Sequence, residues 1–310
     1  MDRQWRRDRM THKSQIGALV IGGRGFIGSH ICKLLEERGY SRVSSYDLVD
    51  GQDTLDLERL EKEVASHAVV FDCSGMLGSA ETFGYAWLTF TVNVKGTLNV
   101  LEAARRHSVP VVFLSLKNKW LNPYMISKRA ATELCGMYRD YHGLDVSVVR
   151  GLNAYGPGQH WGHVQKVVPT FIVQALRNEP LTVFGDGGQI IDLIHVRDLA
   201  EIAVRLFEQS CWGVVIDAGS AVPITVLELA ELVIGLCESS STVSFEPMRI
   251  GEPPGAVAIA DATQAKATVG YYPQTNLVEG MRETVAWYRE NWRSAYRGAV
   301  WDRDPGDRSL

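Results

Sequence analysis

No stretch of this 310-residue sequence approaches the ~20 consecutive apolar residues a membrane-crossing helix needs, so a membrane protein is not expected. The basic opening MDRQWRRDRMTHKS is followed by no apolar run of the kind a secretory leader requires. Residues 1–14 therefore read as a flexible tail, and the chain as cytoplasmic. Basic charge is not in excess either. With 32 Lys and Arg against 36 Asp and Glu, the net charge is −4, which gives no footprint for nucleic acid. Cysteine is sparse: Cys32, Cys73, Cys135, Cys211 and Cys237 are scattered and form no CxxC pair. All but Cys73 fall in helical-looking stretches, so small buried hydrophobes are expected rather than a disulfide framework or zinc. The eight histidines lack metal-ligand spacing, and no metal is expected. His160 and His163 read as an exposed loop, and His195 as a hydrogen-bonded structural histidine.

What the sequence does contain is regular alternation. Short β-branched runs (Ile16–Ile21, Arg42–Asp47, Ala68–Asp72, Pro110–Ser115, Asp145–Arg150) are separated by helical stretches at Gly28–Arg38, Leu55–Ser66, Thr89–His107 and Pro123–His142. This order predicts an α/β fold, a doubly wound parallel sheet covered on both faces. Beyond Arg150 the texture turns rich in Gly, Asn and Pro, with a helix predicted at Val167–Arg177. Asp192–Val196 and Val214–Asp217 read as strands returning to the sheet, with the helix Asp198–Gln209 between them. The helices Thr225–Leu236, Asp261–Ala267 and Leu277–Trp292 are assigned to a smaller C-terminal lobe. The expected division is 15–150 plus 192–218 for the sheet domain, 151–191 plus 219–292 for the lobe, and a loose 293–310.

Chemistry first shows in Gly22-Gly23-Arg24-Gly25-Phe26-Ile27-Gly28, between the first strand and the first helix. Gly22 allows a tight turn, Gly25 a close backbone approach to a pyrophosphate, and Gly28 close packing of helix on sheet. The helix N-terminus then offers free N–H groups and a positive dipole end to phosphate. Asp47 ends the second strand about 20 residues past this motif, where an acid binds the adenosine ribose hydroxyls. Arg24 could greet a 2′-phosphate, but Asp47 would repel it at closer range, so the expected cofactor is NAD. Asp56 and Leu57 fall where a carboxylate could meet the adenine amino group, although an acid opening a helix is also a plain N-cap. Cys73-Ser74-Gly75 follows the third strand at the ligand-binding edge of an open α/β sheet.

Tyr124 and Lys128 are spaced to share one helix face. A free tyrosine titrates near pH ~10. A neighbouring ammonium is expected to lower that value, so that the pair could take a hydroxyl proton while a hydride leaves the same carbon.

With GGRGFIG (22–28), VNVKGTLNVLEAA (92–104), YMISK (124–128), RGLNAYGPGQ (150–159), FGDGGQIIDLIHVRDLA (184–200) and MRIGEPP (248–254) in this order, the chain resembles the NAD-dependent epimerase/dehydratase family. These are extended short-chain dehydrogenases with a Rossmann domain that modify nucleotide sugars. The resemblance runs from about Ile16 to Trp292. It implies Tyr124 as base, Lys128 as its partner and ribose ligand, and Ser115 as the hydroxyl of the site. Phe26, Ile27, Leu48, Ser74, Gly75 and Asn93 would complete the cofactor site. For a nucleotide-sugar substrate it implies Met76, Asn118, Asn153, Val168, Val183, Gln189 and Arg249, the last on the pyrophosphate. It also implies a homodimer through the two long helices.

Three departures from the family pattern shape the expected reaction. The turn after the fourth strand reads Ser115-Leu116-Lys117-Asn118 and has one hydroxyl, placed early; Asn118 or a lysine could stand in for the usual Ser or Thr. The connection to Tyr124 is short, so the sugar pocket wall differs and Trp120 could fill part of it. Ile191 replaces an arginine that usually binds pyrophosphate. With no acid in the turn, the standard 4,6-dehydratase is disfavoured. The expectation is an NAD-dependent nucleotide-sugar epimerase working through a transient keto intermediate. The alternatives are a keto-sugar reductase or atypical dehydratase, and, in another class, a non-catalytic NAD(H)-binding regulator.

Overall fold

In the computed structural model, which describes residues 13–298, strands and helices alternate through the first half of the chain. Strand β1 (Gly17–Ile21) leads to α1 (Phe26–Glu37), β2 (Arg42–Tyr46) to α2 (Leu57–Ala65), and β3 (Val69–Asp72) to a composite helix. That helix is α3 (Ala86–Phe90), a π-helical stretch Thr91–Gly96 and α4 (Thr97–His107); β4 (Val111–Ser115), α5 (Pro123–His142) and β5 (Val146–Gly151) follow. The single helix predicted over Thr89–His107 thus starts earlier and carries a wide turn. Such turns often mark functional segments, and this one holds Asn93.

The second half comprises β6 (Ala154–Tyr155), β7 (Trp161–Gly162), α6 (Val167–Leu176), β8 (Leu181–Phe184), β9 (Ile190–Asp192), β10 (Ile194–His195), α7 (Val196–Glu208), β11 (Val215–Ala218) and β12 (Pro223–Thr225). It ends with α8 (Val226–Cys237), β13 (Val243–Glu246), α9 (Ala262–Val269), α10 (Leu277–Asn291) and β14 (Tyr296–Arg297).

Six parallel strands form the main sheet in the order β11-β5-β4-β3-β1-β2. The strand order reverses between β1 and β3, so their carboxyl ends flank the crevice where such sheets take ligands. Alternate residues of each strand enter opposite cores, as the two-residue period of a strand requires. Ala18, Val20, Phe71 and Val112 pack with α1, α7 and α9. Leu19, Ile21, Val70 and Phe113 pack with α2, α4 and α5. A third core, with Phe171, Ile172, Leu229, Val233, Met281 and Tyr288, unites α6, α8 and α10 into a second lobe.

Three boundaries differ from expectation. Asp192–Val196 does not return to the main sheet: β9 pairs antiparallel with β12, and β10 pairs with β6. The cause is Asp192, whose buried carboxylate accepts from the N–H groups of Ser220, Ala221 and Ala260 and knots this segment to the loop after β11. Helix α9 belongs to the sheet domain, since Ala265 and Val269 lie in the core with α7. The predicted loose C-terminus begins instead with β14, which pairs with β7 while Trp161 meets Tyr296 edge-on. Residues 1–12 and 299–310 of the two predicted tails lie outside the described residues.

Local signals explain how the key helix is aimed. Asn122 caps α5, its side chain accepting from the N–H of Met125, and Pro123 occupies the first turn, where no hydrogen bond is lost. Gly143 closes the helix in the left-handed conformation. Tyr124 is thereby fixed one residue inside the helix, at the carboxyl edge of the sheet.

Candidate active site

A cleft of about 970 Å³ runs from the carboxyl ends of β1–β4 to the second lobe. Its first end is built from main chain. A Cβ on Gly28 would stand 2.2 Å from the Gly22 carbonyl oxygen, and one on Gly25 would stand 3.1 Å from the same atom. Gly25 brings no capping side chain to α1, so the first N–H groups of that helix remain free for a ligand. Asp47 accepts from the N–H of Arg24 at 2.9 Å and of Val49 at 3.1 Å, and lines the cleft with Leu48. Arg24 reaches outward to Asp50 at 2.8 Å. A glycine cradle that any side chain would fill, a helix N-terminus and an acid at the ribose position fit a dinucleotide of the NAD type.

Asp56 and Leu57 do not join this wall. Asp56 caps α2 through the N–H of Arg59, and Leu57 turns toward the second core; Thr54 and Leu55 hold the wall instead.

Tyr124, Met76, Ser74, Gly75, Ser115, Asn118 and Trp120 line the same cleft. Lys128 lies behind Ser74, its ammonium 3.4 Å from the Ser74 carbonyl oxygen and 4.2 Å over the Phe113 ring. Burial lowers the Lys128 pKa, and the negative charge of Asp72 opposes that shift. Asp72, an acid closing an otherwise apolar strand, is fully buried and accepts from the N–H and hydroxyl of Ser74. The sequence reading missed it, although VVFD was its signal. Tyr124 differs from expectation: burial alone acts on its phenol and pushes the pKa up to about 12. Lys128 faces Asp72 and Ser74, which turns its charge away from a direct effect on that phenol.

Asn93 is not on the wall. Its amide oxygen accepts from the N–H of Met76 at 2.7 Å, and its nitrogen donates to the Met76 carbonyl and to Ser127 Oγ, both at 2.9 Å. It clamps the loop after β3 to α5 and has no hydrogen left for a cofactor. Ser115 is also committed elsewhere, its hydroxyl 2.7 Å from that of Thr132.

The far end of the cleft is built from side chains. Val168, Phe171, Thr182, Phe184, Ile191 and Asn153 line it. Val183 does not, because strand alternation turns it into the third core. Asn153 sits at φ 35° and donates to the Asp192 carbonyl. Gln189 donates to the Phe184 carbonyl, and its own amide oxygen is buried without a partner among the described residues. Arg249 pairs with Glu81 at 2.8 Å and Glu252 at 3.4 Å. Ile191 leaves the place of a second arginine apolar, yet Lys166, just before α6, brings a cation to the wall. Its ammonium donates to the His160 carbonyl at 3.1 Å, and burial lowers its pKa to about 8. Lys166 escaped the sequence reading because a lysine before a helix is usually solvated charge. His160, expected in an exposed loop, also lines the cleft.

The five cysteines are free, and no group of metal-ligating side chains occurs among the described residues. No helix among them is long and apolar enough to cross a membrane.

A Rossmann-type sheet, a glycine cradle and a Tyr–Lys pair at one cleft define a nicotinamide-dependent enzyme of the extended short-chain type. The sequence profile of the NAD dependent epimerase/dehydratase family matches residues 18–117 and 115–215, and the chain belongs to that family. It is 30% identical over 315 residues to the UDP-N-acetyl-α-D-glucosaminuronate decarboxylase of Bacillus cytotoxicus, covering 88% of this chain and 97% of that protein. The UDP-glucose 4-epimerase of Thermus thermophilus, solved in complex with NAD, superposes with a TM-score of 0.79 at 27% identity, covering 88% of this chain and 99% of that one. A dTDP-glucose 4,6-dehydratase of Streptomyces venezuelae, solved as a double mutant with NAD, gives 0.82 at 25% identity over 90% and 100%. The similar proteins thus share nucleotide-sugar chemistry and divide over the reaction.

Proposed function

We propose that the protein is an NAD-dependent epimerase that acts on a nucleotide sugar through a transient keto intermediate. The observation that carries this reading is Tyr124 on the cleft wall between the glycine cradle and a substrate lobe holding Arg249 and Lys166. Phosphate-binding cations at one end and a proton acceptor at the centre suit a sugar joined to a diphosphate. Bound NAD supplies a place for the hydride and, once reduced, its source on return. Tyr124 takes the hydroxyl proton and gives it back. The turn Leu116–Asn118 offers no acid for eliminating water. The likeness to a uronate decarboxylase favours a second outcome of the same oxidation. A 4-keto uronate is a β-keto acid and loses CO₂ without further catalytic groups.

The test is incubation of the purified holoenzyme with UDP-, dTDP-, GDP- and CDP-sugars, neutral and uronate, followed by NMR. Inverted stereochemistry with no net NADH consumption is expected. CO₂ release from uronates alone selects the decarboxylase, and stoichiometric NADH use a reductase. Tyr124→Phe should lower turnover at least ~10²-fold, the lower range for a general base, while NAD stays bound. Unchanged turnover in that variant sinks the mechanism.

A further inference from the structure

The turn between β4 and α5 carries the polar side chains nearest to Tyr124 along the chain, and among those facing the cleft only the Asn118 carboxamide and the Trp120 indole N–H are without a partner among the described residues. Ser115 Oγ lies 2.7 Å from Thr132 Oγ1, and Thr132 donates to the Lys128 carbonyl at 2.9 Å. A threonine hydroxyl has a single proton. Spending it on Lys128 makes Ser115 the donor in their contact, so the Ser115 proton points into α5. Lys117 gives its ammonium to Asp217 at 2.6 Å and to the Ile259 carbonyl at 2.8 Å. Asp217, 1% exposed, also holds Arg150, so removing Lys117 would uncover a buried charge pair. Asn122 uses its oxygen on the N–H of Met125 and its nitrogen on the Gly251 carbonyl. Lys119 is exposed and lies off the wall. Asn118 is on the wall, and its carboxamide has no partner among the described residues.

We infer that Asn118 is a catalytic residue of this site: its amide N–H donates to the sugar oxygen that becomes the carbonyl, in place of the hydroxyl the family uses. The inference rests on the nucleotide-sugar reading. In the oxidation the O–H and C–H bonds of one carbon break and a C=O bond forms. The proton passes to Tyr124, the hydride to the bound cofactor, and Asn118 remains neutral throughout. A hydroxyl could relay that proton; a carboxamide can only stabilise the oxygen, so Tyr124 handles the proton alone. A donor preorganised at a developing oxygen typically contributes ~10²–10³ in kcat.

Two measurements test this. In steady state with the best substrate of the panel, Asn118→Ala should lower kcat about 10²-fold, at least tenfold more than Ser115→Ala does, and raise KM only several-fold. By calorimetry, Asn118→Ala should weaken UDP-glucose several-fold relative to wild type and leave UDP unchanged, because the amide meets only the sugar. Dominant loss in Ser115→Ala, or equal effects of Asn118→Ala on UDP-glucose and UDP, overturns the assignment. If wild-type protein turns over no sugar nucleotide, the epimerase reading fails, and the calorimetric comparison still decides whether Asn118 meets the sugar. Should wild type bind neither UDP nor any other nucleotide and its glucose conjugate, both fall together.

Discussion

The two ends of the cleft are made of different material. At the cofactor end the groups that meet the ligand are peptide N–H groups, shaped by Gly22, Gly25 and Gly28, with Asp47 as the one side chain of consequence. At the other end they are side chains, and most are already tied within the protein: Arg249 to Glu81 and Glu252, Gln189 to the Phe184 carbonyl, Asn153 to the Asp192 carbonyl. Main-chain recognition is indifferent to most substitutions but tolerates no Cβ. Side-chain recognition can be rewired one contact at a time. That asymmetry explains how similar proteins keep one cofactor and differ in the reaction performed.

The contrast predicts its largest effect at Gly28. A Cβ there would stand 2.2 Å from a carbonyl oxygen and 2.9 Å from the Gly23 Cα, and backbone cannot yield as a flexible side chain can. Gly28→Ala should therefore emerge without bound NAD and with a melting temperature several degrees lower, overpacking costing about 1–3 kcal/mol. Native mass spectrometry and a thermal melt read both. An alanine variant that keeps its cofactor and its stability would show that the cradle is looser than its geometry.

At the other end the corresponding prediction concerns charge. Lys166 titrates at about 8, below the ordinary lysine value of 10.5, because burial disfavours the ammonium. A lysine depressed on folding makes the ligand-free protein gain stability as pH rises from about 8 toward 10.5, since the unfolded chain then holds more protons. An arriving diphosphate reverses the preference and favours the ammonium. Nucleotide-sugar binding should accordingly take up a proton above about pH 8, and Kd should rise with pH there by up to about tenfold per unit. Calorimetry in two buffers of different ionisation enthalpy measures that uptake. Lys166→Met should abolish it, and an unaltered pH slope in that variant would remove Lys166 from the phosphate site.

The same asymmetry decided what could be read from the sequence. The glycine spacing, the acid after the second strand and the Tyr–Lys interval are local, and each maps onto one turn or one helix face. Asp56 was misplaced because a cap and a ligand contact ask for the same residue at a helix start. Val183 was misplaced because membership of a strand was legible, but not which of its faces met the cleft. Asn93 and Ser115 were assigned to ligand contact, whereas the clamp on Met76 and the bond to Thr132 depend on partners far along the chain. Lys166 matters through its burial, which no short stretch of sequence declares.

The smallest effect sharpens the comparison at its one exception, the side chains around the adenosine ribose. Arg24 is a cation suited to a 2′-phosphate, yet its guanidinium is paired with Asp50 while Asp47 holds its N–H. The Arg24–Asp50 pair is solvent-exposed, with side chains 60% and 37% accessible, and exposed pairs are weak. Asp47, on the cleft wall, should therefore carry most of the discrimination against NADP. Asp47→Asn should tighten NADPH binding clearly, whereas Asp50→Asn should do so only about two- to threefold, within the range of a surface pair. Both gains should shrink as salt rises from about 0.05 to about 0.5 M, where screening shortens to a few ångströms. Fluorescence titration with NADPH and NADH at the two salt concentrations measures all of this. An Asp50→Asn gain exceeding that of Asp47→Asn would mean that the outer pair, not the ribose acid, sets the choice of cofactor.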